Sequence, residues 1–236
     1  MYCGWRARIG LIMPSSGTYP EHEFHEYAPE GVTIMTQRVL FERVDPQGLS
    51  EMGARVDEAA KILSKANPDL IIFGCTSGSL IKGIGYDKEI IKRIEDISGT
   101  KALTTTSAII MAFKALGSKR LVVSTPYIDE VNEIEKKFLE DSGFEVLNIK
   151  GLQNIDPNLM PLTPMPRMYK LTREVLHPEA DTIFVSCTGL GVMHGINMME
   201  KDFGLPVVTS TQASIWAVLR TLSINDDIGV GKLFSI

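Results

Sequence analysis

Cys75 and Cys187, two of the three cysteines in this 236-residue chain, occupy matching positions. Cys75 follows the apolar run Asp69-Leu-Ile-Ile-Phe-Gly74 and precedes Thr76-Ser77-Gly78; Cys187 follows Asp181-Thr-Ile-Phe-Val-Ser186 and precedes Thr188-Gly189. A thiolate is a nucleophile and a base, and a thiol facing it is an acid. Two of them flanking one carbon can attack or deprotonate one face and protonate the other. The hydroxyls of Thr76, Ser77 and Thr188, with the amides of the glycine-containing turns, are short donors suited to an anion. The same donors are expected to lower a thiol pKa below its ordinary ~8.5. The bland alternative for each cysteine alone is a small buried hydrophobe, but packing gives no reason for a thiol at both positions. Zinc needs three or four ligands, and no C-x-x-C or H-x-x-x-H spacing occurs, so no metal is expected. Cys3 lies outside the matched pair and is read as incidental.

The match extends along the chain. Arg8 and Arg120, Asp69 and Asp181, and Cys75 and Cys187 are each 112 residues apart. Thr104-Thr-Thr-Ser-Ala108 and Thr209-Ser-Thr-Gln-Ala213 form a further echo, offset by 105. Runs apolar on both faces (Arg8–Pro14, Asp69–Gly74, Arg120–Pro126, Asp181–Ser186) alternate with helical periodicity, the pattern of parallel sheets covered on both sides. Leu49, Met52, Val56, Ala60 and Leu63 predict one helix stopped by Asn67-Pro68. Val131, Ile134, Phe138 and Leu139 predict another, with Gly143 as its cap. The expected fold is α/β: two pseudosymmetric α/β domains, each a mainly parallel sheet flanked by helices. Residues 1–107 with 213–236 form the first half and 108–212 the second. Ligands of such folds sit beyond the carboxyl ends of the strands, so the site is expected in the cleft between the halves.

Composition narrows the function classes. With 44% hydrophobic and 22% charged residues the chain buries a core and is not disordered. A net charge of −5 without a basic stripe argues against a nucleic-acid surface. No run approaches the ~18 apolar residues of a membrane helix. The N-terminus lacks a signal-peptide layout and the cysteine count is odd, so free thiols and a cytoplasmic location are expected. His194, seven residues after Cys187, is read as structural or at the surface rather than as an acid/base partner. His22 and His25 with Glu21, Glu23 and Glu26 read as a solvated helix start rather than a metal cluster. Met193 to Met199 reads as core packing. Pro157 to Pro166 is either a stiff surface connection or a lid in which Leu159, Met160 and Met165 exclude water.

Four motifs carry a resemblance. Gly10-Leu-Ile-Met-Pro-Ser-Ser16, Gly74-Cys-Thr-Ser-Gly-Ser79, Ser124-Thr-Pro-Tyr-Ile-Asp129 with Val131-Asn132, and Ser186-Cys-Thr-Gly189 together resemble the aspartate/glutamate racemase superfamily. Within it they are similar to the maleate cis-trans isomerase and arylmalonate decarboxylase branch, over nearly the whole chain. The resemblance implies two pseudosymmetric domains around a cleft, a small carboxylate substrate and no cofactor or metal; it admits a homo-oligomer. Decarboxylases of this branch carry a small residue where Cys75 stands, so Cys75 weighs toward isomerase or racemase chemistry. Cys75 would then add to the alkene of maleate and Cys187 would serve as acid and base. The implied substrate contacts are Pro14, Ser15, Ser16, Gly17, Thr76, Ser77, Tyr127, Asn154, Thr188 and Gly189. At Gly17 the sequence departs from the isomerases, which place an asparagine there; losing that amide removes a charge-assisted hydrogen bond of about 1.5–3 kcal/mol. A bulkier or monoanionic acid suits this gap better.

Three alternatives stand beside the isomerase. In a decarboxylase of disubstituted malonates, Cys187 would protonate the enediolate while Thr76, Ser77 and Tyr127 stabilise its oxygens. A racemase of amino or hydroxy acids would use both thiols. A small-carboxylate binding module would explain two halves and a cleft, but not paired cysteines.

Overall fold

A computed structural model describes residues 2–236. Strand β1 (Ala7–Pro14) lies inside the first sheet, parallel to β2 (Val32–Val39) on one side and to β3 (Leu70–Phe73) on the other, with β4 (Ala102–Thr104) beyond β3. The second sheet repeats this arrangement with β5 (Arg120–Thr125), β6 (Glu145–Gly151), β7 (Thr182–Val185) and β8 (Val207–Thr209). The orders are β2-β1-β3-β4 and β6-β5-β7-β8, one topology used twice. Parallel neighbours need crossovers. Helices α1 (Tyr19–Glu26), α2 (Pro46–Ala54), α3 (Val56–Ser64), α4 (Thr76–Leu80) and α5 (Tyr86–Ser98) serve the first sheet. In the second half the helices are α7 (Asp129–Asp141), α8 (Met165–Val175) and α9 (Ile196–Phe203). Helices α6 (Thr105–Leu116) and α10 (Ser210–Thr221) follow the last strand of each sheet, and α11 (Gly231–Phe234) closes the chain.

The residues that recur at fixed offsets satisfy equivalent backbone groups. The carboxylate of Asp69 accepts from the Arg8 amide at 2.7 Å, and that of Asp181 accepts from the Arg120 amide at 3.0 Å. Each aspartate thereby fixes the first rung between a central strand and its neighbour. At the other end the Gly74 amide donates to Ile12 O (2.7 Å) and the Ser186 amide to Ser124 O (2.9 Å). These bonds set the direction in which the chain leaves β3 and β7. Thr104 and Thr209 both close capping boxes, at the N-termini of α6 and α10. Those two helices pack on each other, joined by Ser214 Oγ donating to Thr105 Oγ1 at 3.0 Å. Residues 107–108 and 212–213, where the sequence divides the halves, fall in their first turns. Phe113 of α6 meets Phe184 of β7 edge to face at 5.4 Å, so the first linking helix is bound into the second sheet.

The helix expected through Leu49 to Leu63 is two helices, α2 and α3. They break at Arg55, whose amide bonds Met52 O three residues back. Gly53, against which the Tyr86 hydroxyl packs, weakens the end of α2, and α3 begins afresh with Asp57 and Glu58 in its first turn. All five periodic residues are nevertheless buried. Gly143 follows α7 with φ +95°, as a left-handed cap requires. No helix among the described residues is long and apolar enough to cross a membrane.

Candidate active site

Cys75 leaves β3 in an extended conformation (φ −145°, ψ 118°) and stands at the N-cap of α4. Its sulfur faces the Gly78 amide and the Ser77 hydroxyl. A Cβ at position 78 would lie 3.0 Å from this sulfur and 3.3 Å from Phe73, so glycine is what lets the turn close over the thiol. Cys187, the counterpart at the end of β7, has φ +105°, a conformation that residues with a side chain rarely adopt. Its amide donates to Ser210 Oγ at 2.9 Å, and its sulfur accepts from the Gly189 amide at 3.3 Å. The Thr188 hydroxyl donates across to Gly74 O at 3.1 Å, tying the two cysteine turns together.

Both cysteines line one cavity with about 410 Å³ of empty space, its mouth included. Its polar surface comes from Ser16, Ser77, Thr188 and Tyr127 around the two thiols. Pro20, Phe41 and Val44 of the first half and Pro157, Met160 and Pro161 of the second form a wall that is otherwise apolar. The Val44 amide donates to Ile155 O at 3.0 Å, joining the two sides of this wall. Met160 is buried against Gly189, where a Cβ would approach Met160 Cβ to 3.0 Å. Of the three apolar residues that the lid reading named, Met160 lines the cavity. Leu159 is exposed, and Met165 opens α8 and packs against Gly195.

Pro14, Ser16, Gly17, Cys75, Ser77, Tyr127, Cys187, Thr188 and Gly189 are brought together around the cavity. Ser15, Thr76 and Asn154 are not among its lining. Ser15 Oγ accepts from the Phe41 amide at 3.1 Å and so supports the wall from behind. Thr76 is buried in the first turn of α4, its hydroxyl without a partner among the described residues. The Asn154 amide donates to Pro126 O at 2.9 Å, fixing the loop near Tyr127. His194 is exposed in the turn 193–195, and His22 pairs with Glu26 at the surface.

Sequence patterns missed Phe41 and Val44, which follow β2 in a loop with no periodicity. They also missed Glu135. Its signal was present: a carboxylate at i+4 from Val131, on the stripe that α7 buries with Phe138 and Leu139.

The thiol electrostatics reverse the expectation of lowered pKa values. Burial, with Cys75 5% and Cys187 9% exposed, outweighs the nearby donors. It pushes Cys75 up to about 12, opposed by the Gly78 amide and Ser77 and reinforced by charge on Cys187. It pushes Cys187 up to about 11, opposed by the Tyr127 hydroxyl and the Gly189 amide and reinforced by Glu135. Both thiols are therefore protonated at neutral pH. Tyr127 is likewise pushed well up by burial and remains a phenol, a donor.

The family model described as arylmalonate decarboxylase matches residues 9–234. The chain is 26% identical over 231 residues to the arylmalonate decarboxylase of Bordetella bronchiseptica, covering 96% of this chain and 95% of that protein. It is 25% identical over 242 residues to a maleate isomerase of Pseudomonas putida, covering 97% of each. A crystal structure of a Pseudomonas putida maleate isomerase with maleate superposes with a TM-score of 0.93 at 26% identity, covering 97% of both chains. The match runs through both sheets and both cysteine turns, and it places the chain in the arylmalonate decarboxylase family.

Proposed function

We propose that the protein is a cofactor-independent cis-trans isomerase of maleate or a related small unsaturated carboxylate. The observation that carries this reading is the shared cavity, into which each half sends a cysteine from the end of its equivalent strand. The isomerase relatives support the same chemistry.

Addition needs a thiolate, so Cys75 first gives its proton to solvent water through the mouth of the cavity. Cys75 Sγ then forms a bond to one alkene carbon while the π electrons move toward the adjacent carboxylate. The Cys187 thiol delivers its proton to the other carbon, leaving a saturated thioether whose central bond rotates freely. Rotation turns the original hydrogen of that carbon toward Cys187, whose thiolate removes it as the C–S bond breaks, and the trans alkene leaves with Cys75 again a thiolate. The Tyr127 phenol and the Ser16 and Ser77 hydroxyls are placed to hold carboxylate oxygens, and the Thr188 oxygen keeps a free lone pair but no free proton. The wall of Phe41, Val44 and Met160 sheds water from the carbanion-like state.

The apolar wall favours a second reading, decarboxylation of an arylmalonate-type acid, in which Cys187 alone supplies the proton. Following the vinyl protons of maleate by NMR separates the two. Isomerisation to fumarate, lost in both Cys75→Ser and Cys187→Ser, supports the isomerase. Carbon dioxide released from an arylmalonate by Cys75→Ser but not by Cys187→Ser would replace it with the decarboxylase.

A further inference from the structure

Ser186 precedes Cys187 and donates its hydroxyl to Glu135 Oε1 at 2.6 Å. Glu135 is 1% exposed, and its second oxygen has no hydrogen-bond partner among the described residues. A half-satisfied buried carboxyl is costly, and it stands on the stripe of α7 otherwise made of Val131, Phe138 and Leu139. Its neighbours supply a reason for a carboxyl. A negative charge on Glu135 acts on Cys187 at the end of β7 and on Tyr127 after β5, adding to burial, the larger cause, in keeping both protonated. The elements most extensively packed on α7 are α4 and β6. Helix α4 brings Thr76, Ser77 and Ser79, while β6 carries Glu145 exposed and Lys150 paired with Glu174 at 2.6 Å.

We propose that Glu135, fixed behind Cys187 through Ser186, is a positioning residue that keeps the reacting proton on Cys187 between transfers. The inference rests on the reading of Cys187 as the acid of the reaction. Glu135 itself makes and breaks no bond. When Cys187 gives its proton to substrate carbon, its sulfur becomes a thiolate beside a carboxylate. The repulsion between them favours the return of a proton to sulfur, taken from the same carbon after rotation, as the C–S bond at Cys75 breaks. With Glu135 neutral, the Cys187 thiol would ionise more readily, and burial alone would hold the proton there.

The test reads Cys187 without turnover. In the full chain carrying Cys3→Ser and Cys75→Ser, the rate of iodoacetamide alkylation reports the thiolate fraction at Cys187. Glu135→Gln keeps an oxygen to accept from Ser186 but removes the charge. Burial sets the Glu135 carboxyl at about 7, so its charge is present above that pH and absent well below it. Above it, alkylation in Glu135→Gln is expected to be about tenfold faster than in the parent, the effect of one neighbouring like charge. Below about pH 6 the two rates converge. Glu135→Asp, which keeps the charge, stays close to the parent at both pH values. Equal rates of parent and Glu135→Gln throughout, or the same ratio above and below the transition, would overturn the proposal. So would Glu135→Asp matching Glu135→Gln. A pH-dependent alkylation change in a protein that isomerises nothing would uphold the role of Glu135 and sink the isomerase reading instead.

Discussion

The hydroxyl of Thr188, the residue after the second cysteine, donates to the carbonyl of Gly74, the residue before the first, at 3.1 Å. One hydrogen bond thus crosses between the halves at the point where their reactive side chains converge. The spacing of the two sulfurs depends on how β3 and β7 are held relative to each other, and this bond joins their ends directly.

Thr188→Val keeps the shape and removes the donor. It is expected to cost about 1 kcal/mol in chemical denaturation and to lower kcat by roughly tenfold or more, since small misplacements of reacting groups are expensive. Thr188→Ser restores the hydroxyl and should recover most of both. A valine variant with wild-type kcat would show that the bond does not set the site.

Gly78→Ala brings a methyl to 3.0 Å from Cys75 Sγ and against Met52. Overpacking of this kind typically costs 1–3 kcal/mol, and here the displaced group is the nucleophile. The expected result is a folded protein with a modestly lower Tm and little turnover, whereas Gly83→Ala, at a glycine with φ +79° and open space around it, strains the backbone but leaves the Cys75 environment and turnover untouched.

Met160→Ala opens the wall beside Gly189 and Cys187. Loss of a buried methionine costs about 2–5 kcal/mol where the site does not collapse. In kinetics the change should appear as a raised KM and faster alkylation of Cys187, read by mass spectrometry. If Cys187 is alkylated no faster, Met160 does not control access.

Glu23 of α1 accepts from the Met193 amide at 3.2 Å, joining the first half to the turn that follows Cys187. Burial pushes its carboxyl up to about 8, with a smaller push from Glu26. The folded chain therefore prefers Glu23 protonated, whereas the unfolded chain ionises it near the ordinary ~4.3. Its contribution to stability is complete below that ordinary value and is lost as pH rises through about 8. Glu23→Gln should accordingly be more stable than the parent above pH 8, by on the order of a few kcal/mol, and gain nothing near pH 4. Urea titrations at the two pH values check the sign.

Legibility in the sequence followed the physics of each feature. The central strands could be read because burial on both faces leaves continuous apolar runs. The duplication could be read because Asp69 and Asp181, and Thr104 and Thr209, make the same backbone hydrogen bonds. The cysteines stood out because they fall at the same offset as these aspartates, although their own backbones differ. The wall residues Phe41 and Val44 did not, because a loop has no period to betray which side chain turns inward. The protonation of the thiols was read in the wrong direction: local donors are visible in a motif, whereas burial is a property of everything packed around it. Glu135 was visible only as an acid on an apolar stripe, a signal that acquires meaning once Ser186 is seen to bind it.

The positive φ of Cys187 means that the second sulfur is held at a conformational expense its twin does not bear, since Cys75 is extended. Ordinarily a glycine is less stable than an alanine in a folded segment by about 0.5–1 kcal/mol. At position 187 that ranking should invert: trimming to alanine keeps the torsional tension, while trimming to glycine relieves it. An inactive enzyme that melts later as glycine than as alanine would reveal a backbone bent for chemistry rather than for endurance.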